Sequence, residues 1–74
     1  MDWNKINLRN KDKNLPQVDK PVIWATNENS HDEKVFHKFI GWLSKDDKYV
    51  DSGLKRYKLT SKFWWQELPD DPEI

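Results

Sequence analysis

Five tryptophans stand in a chain of 74 residues that has no cysteine and only two histidines. That combination decides how such a chain can hold itself together. A domain this short buries a smaller share of its surface than a larger one, so small folds usually lean on disulfides or a structural metal. Neither staple is available here in a familiar form. Aromatic burial has to substitute: five Trp, three Phe and two Tyr can each bury roughly 150–250 Å², several kcal/mol gross at about 25 cal/mol per Å². The aromatic residues are therefore assigned to the core of one domain.

The most regular aromatic segment is Pro21-Val22-Ile23-Trp24-Ala25-Thr26, rich in β-branched residues and opened by a proline whose missing N–H is tolerated at a strand start. Val22 and Trp24 are expected on one face. Lys62 to Leu68 is a second strand, with Phe63, Trp65 and Glu67 on one side and Trp64, Gln66 and Leu68 on the other. A small single sheet buries one face well, so one of Trp64 and Trp65 is left to be covered by an N-terminal arm or to serve as an anchor for a partner. Arg56-Tyr57-Lys58-Leu59-Thr60 alternates cation and apolar residue, as a lysine-protected edge strand does. Ser44 to Gly53 is a charged loop with turn signals on either side of Tyr49-Val50.

Residues 1–20 are polar, and we assign them to an arm anchored by Trp3, Ile6 and Leu8. Asn10 to Asn14 forms its loop, and Leu15-Pro16 holds it extended. The segment Lys34 to Leu43 admits two conformations. As a helix it gathers Val35, Phe36, Phe39, Ile40 and Leu43 on one face behind a Ser30-His31-Asp32-Glu33 capping box. As a strand it places Phe36, Ile40 and Trp42 opposite Val35, His37, Phe39 and Leu43, with Gly41 at a bulge. Periodicity alone slightly favours the helix; we adopt the strand for its aromatic and β-branched content and for the resemblance described below. The expected fold is mostly β: a small antiparallel sheet of about four strands with an N-terminal arm, the alternative being α+β with residues 31–44 helical. Residues 1–20 form the arm, 21–69 the core and 70–74 an acidic tail.

Thirteen Lys and Arg balance thirteen Asp and Glu, unlike the basic surface of a dedicated DNA-binding protein. The balance is not local: residues 45–62 hold six cations against three carboxylates, whereas residues 63–74 hold four carboxylates and no cation. His31 and His37 lack metal-ligand spacing. Asp46-Asp47 and Asp70-Asp71 are adjacent pairs in a turn and a tail, unable to converge as acid and base must. The serines lack a nucleophile elbow, and two glycines cannot build a phosphate loop. We expect no catalytic residue, no metal, no cofactor and no enzymatic activity. Without an apolar run at the N-terminus or a membrane span, a soluble cytoplasmic protein is expected.

Five features taken together resemble a known group: Asp2-Trp3 followed by Ile6, Leu15-Pro16, the Pro21 to Ala25 strand, Gly41-Trp42, and the ending Trp65-Gln66-Glu67-Leu68-Pro69-Asp70-Asp71-Pro72. The pattern is similar to that of short phage and prophage proteins of a domain-of-unknown-function family, which end in Trp-x-x-Leu-Pro-x-x-Pro. The resemblance implies a small β-rich fold and a bacteriophage or mobile-element origin, which makes the expected cytoplasm that of a host. It implies no activity. The segments Asn27 to Asp32 and Lys45 to Gly53 are longer and more charged than the family pattern.

The expectation from these residues is an accessory protein that binds a host or phage protein, inhibiting or redirecting a host or defence enzyme. Contact residues are expected at Arg56, Tyr57, Lys58 and Trp64 on the last hairpin and at Asp70, Asp71 and Glu73 on the tail. The alternative is single-stranded nucleic-acid binding through the cations and aromatics of the same hairpin.

Overall fold

The computed structural model of the chain describes residues 3–28, 31–32 and 34–69. Six strands make one open antiparallel sheet: β1 (Asn4–Lys5), β2 (Val22–Thr26), β3 (His37–Leu43), β4 (Tyr49–Asp51), β5 (Arg56–Lys58) and β6 (Phe63–Gln66), in the spatial order β1-β6-β2-β3-β4-β5. The mostly β antiparallel fold expected from the sequence is found. It is built from six strands rather than about four, because the arm contributes β1 and the charged loop contributes β4. The helical alternative for residues 31–44 is not adopted: His37–Leu43 is a strand, pairing with β2 through His37 to Gly41 and with β4 through Trp42 and Leu43.

The pairing register fixes which side chains share a face. Val22, Trp24 and Thr26 lie opposite Gly41, Phe39 and His37 on β3, while Trp24 and Thr26 also lie opposite Trp65 and Phe63 on β6. These residues form the inner face. Its buried core is Ile6, Val22, Trp24, Leu43, Val50, Leu59 and Phe63, with Leu15, Val18, Phe39, Tyr57 and Trp65 packed around it. Trp24 is fully buried and meets Phe63 edge to face at 6.1 Å, a burial worth roughly 4–6 kcal/mol gross. The arm crosses this inner side: Ile6 donates its N–H to the Phe63 carbonyl, Val18 bridges Leu43, and the Trp65 indole donates to the Asn14 carbonyl at 2.7 Å. Of the three anchors expected in the arm, Ile6 is fully buried, Trp3 half-buried and Leu8 exposed.

Only residues 59–62 connect β5 to β6, although β2, β3 and β4 separate those strands within the sheet. The sheet must therefore curl until the Tyr57 ring lies 6.5 Å from Phe63. Gly41 stands at the bend, where β3 pairs with β2 through His37 to Gly41 and with β4 through Trp42 and Leu43. It is a close approach rather than a bulge: a Cβ there would lie 2.6 Å from the Asp51 carbonyl oxygen. The β3–β4 turn is closed by side chains. Ser44 Oγ donates to Asp46 Oδ1 at 2.5 Å and accepts from the Tyr49 N–H, while Asp46 Oδ1 also accepts from the Lys48 N–H. Asp47 takes a left-handed φ of 62°, tolerable for aspartate because its short polar side chain bonds locally.

Candidate interaction surface

Alternation along the strands sends a second set of residues to the outer face. One row runs straight across four strands, with Lys5 opposite Trp64, Trp64 opposite Ala25 and Ala25 opposite Lys38. The next row is Gln66, Ile23 and Ile40. Beyond the bend come Trp42, Asp51 and Arg56. No strand of the described residues packs over these rows. Ile40 is 57% exposed and Phe36 39% exposed.

A hollow of about 270 Å³ opens in the first row, with Ala25 as its floor and Trp3, Phe36, Trp64 and Lys38 as its walls. Ala25 creates the depth, because its methyl stands between two long neighbours in the row. Phe36 meets Trp64 edge to face at 5.1 Å, and the Lys5 ammonium lies 5.3 Å from the centre of a Trp64 ring. Those contacts orient the half-buried Trp64 without sealing it. Trp3, half-buried, lines the hollow together with Trp64.

The residues singled out from the sequence do not form one patch. Tyr57 points to the inner face, stacks on Phe39 at 4.6 Å and brings its hydroxyl within 3.4 Å of His37 Nε2. Arg56 is engaged by Asp51 through Nε at 2.7 Å and Nη2 at 3.2 Å, and its guanidinium lies 5.0 Å from the Tyr49 ring. The hydrogen bond and charge of Asp51 hold Arg56 still more firmly protonated than usual. Lys58 is exposed on β5 opposite Tyr49. Trp64 belongs to β6, so no hairpin joins it to Arg56, Tyr57 and Lys58; β5 pairs with β4, and β6 pairs with β1 and β2. Asp70, Asp71 and Glu73 lie outside the described residues. Lys5 and Phe36, which were not expected as contact residues, touch Trp64, and Lys38 lies beyond Ala25 on the same row. The grouping of Phe36, Ile40 and Trp42 on one face was visible in the alternation, but its union with Lys5 and Trp64 needed the order of the strands.

A more polar hollow of about 300 Å³ lies between β5 and the start of β6, with Thr26, Lys55, Tyr57, Thr60 and Phe63 among its walls. Across it Thr60 Oγ1 donates to Glu28 Oε2 at 2.8 Å. Among the described residues no cluster of His, Asp or Glu is placed to hold a metal ion, and no helix is long and apolar enough to cross a membrane. No family model, curated protein or solved structure matches the chain.

Proposed function

We propose that this chain is a non-enzymatic binding protein that contacts another protein through the outer face of its sheet, with Trp64 as the central anchor. The observation that carries this reading is that a complete core is built on the inner face alone, while the outer face retains Trp3, Phe36, Ile40, Trp42 and Trp64 with no second layer among the described residues. A half-buried aromatic in a pocket, ringed by lesser apolar residues, is the arrangement that dominates interface energetics. The bacteriophage setting belongs to the same proposal and rests on the family resemblance; the host cytoplasm and inhibition of a host or defence enzyme extend it. The nucleic-acid alternative finds less support, because Tyr57 and Trp64 occupy opposite faces and Arg56 is paired with Asp51.

Affinity purification of the tagged chain from bacterial lysate tests the proposal, with Ile40→Asp and Trp64→Ala as matched baits. A stoichiometric partner held by the parent chain and lost from both baits is expected. A partner retained equally by all three, or none recovered by the parent chain, would count against it.

A further inference from the structure

Building on the outer face as the contact surface, we infer that the segment it takes is acidic as well as apolar: an extended peptide with an Asp or Glu within about two residues of a bulky aliphatic or aromatic side chain. The row from Lys5 through Trp64 and Ala25 to Lys38 sets two lysines at its ends. Three strand spacings separate their backbones, on the order of 14 Å. The aromatic-walled hollow lies between them, large enough for one bulky side chain. Among the described residues neither lysine has a carboxylate partner; the ion pairs are Lys20 with Glu67 and Arg56 with Asp51. A carboxylate arriving beside a side chain seated in the hollow meets an ammonium that has no carboxylate partner among the described residues, at an apolar surface where attraction exceeds its value in open water.

Two other occupants fit less well. Single-stranded nucleic acid stacks on open ring faces, whereas Trp64 is already engaged by the Lys5 ammonium and by Phe36 edge to face. A second copy docked by two-fold symmetry would bring Lys5 and Lys38 of both chains into one interface, setting four ammonium groups together.

The test is selection of random displayed dodecapeptides on the full chain. Binding of the enriched peptides is then compared for the parent, the Lys5→Glu/Lys38→Glu double variant and Trp64→Ala, each checked for folding by circular dichroism. Both lysines are exposed, so the double variant is expected to fold. Enriched peptides should carry a carboxylate near an apolar side chain, bind the double variant about tenfold more weakly, and lose affinity as salt rises. Peptides without acidic bias that still require Trp64 would overturn the acidic inference and leave the contact surface standing. No enrichment, or peptides indifferent to Trp64 and both lysines, would overturn both. Oligothymidylate that quenches Trp fluorescence in the parent but not in the double variant would overturn the inference in favour of nucleic acid. Concentration-dependent dimerisation abolished by Ile40→Asp would overturn it in favour of a second copy.

Discussion

Replacing Gly41 with alanine tests whether the bend in β3 is what lets this sheet curl. The added Cβ would lie 2.6 Å from the Asp51 carbonyl oxygen and 3.2 Å from Phe39 Cε2. A Cβ and a carbonyl oxygen are comfortable no closer than about 3.2–3.4 Å, so β4 would have to retreat by roughly 0.7 Å from a strand it joins through two residue pairs. Crowding of this kind costs about 1–3 kcal/mol. Alanine returns about 0.5–1 kcal/mol by restricting the unfolded chain. The net expectation is a loss of about 1–2 kcal/mol, or roughly 5–15 °C in Tm for a domain of this size. Gly53→Ala is the control with a different mechanism. Its φ of 84° disfavours a side chain, but the nearest atom to an added Cβ is Trp42 Cη2 at 3.9 Å, so the cost of about 1 kcal/mol is conformational rather than steric. Thermal and urea unfolding followed by Trp fluorescence would give both values. An unchanged or raised Tm for Gly41→Ala would refute the close approach of β3 and β4.

Three further outcomes follow from single contacts. Trp24→Ala should cost about 3–5 kcal/mol, enough to unfold much of the protein. Trp24→Phe should stay within about 1.5 kcal/mol of the parent in urea titrations, since it removes a buried indole N–H that has no partner among the described residues. Thr26→Val should lose about 1–2 kcal/mol, because the buried hydroxyl donates to the Lys62 carbonyl at 2.9 Å and accepts from the Glu28 N–H at 3.1 Å. Asp46 titrates below its ordinary value of 3.8, held down first by the Ser44 hydroxyl and then by the Lys48 N–H. A carboxylate depressed on folding contributes its stability above the unfolded value and loses it as pH falls through the folded one. The advantage of the parent over Asp46→Asn should therefore be constant near neutrality and shrink below about pH 4; an advantage unchanged down to pH 2 would exclude the bond to Ser44.

Much of the fold was legible because side-chain alternation is a local property. Val22 and Trp24 share the inner face, as do Phe63 and Trp65, and Trp64 takes the other side; each follows from strand geometry once a strand is assumed. The lysine-flanked Arg56–Lys58 segment is an edge strand of the sheet, as its alternation of charge and aromatic ring suggested. The segment around Phe36 to Leu43 was ambiguous for a physical reason: its apolar spacing satisfies both periods, and pairing with β2 on one edge and β4 on the other resolves it.

The candidate surface was less legible than the strands. Tyr57 and Trp64 are seven residues apart in sequence, which suggested one hairpin, yet three strands lie between β5 and β6. Lys5 and Lys38 carry no local signal at all; they flank Trp64 because β1 and β2 both pair with β6 and β3 pairs with β2. By itself, then, the sequence determined an unstapled, aromatic, mostly β core and, wherever a strand is assumed, the face each residue takes, because both depend on composition and on a period of two. Tertiary structure alone decided which strands are neighbours, and so which lysines and rings surround Trp64, because register and strand order are set by long-range pairing around the bend at Gly41.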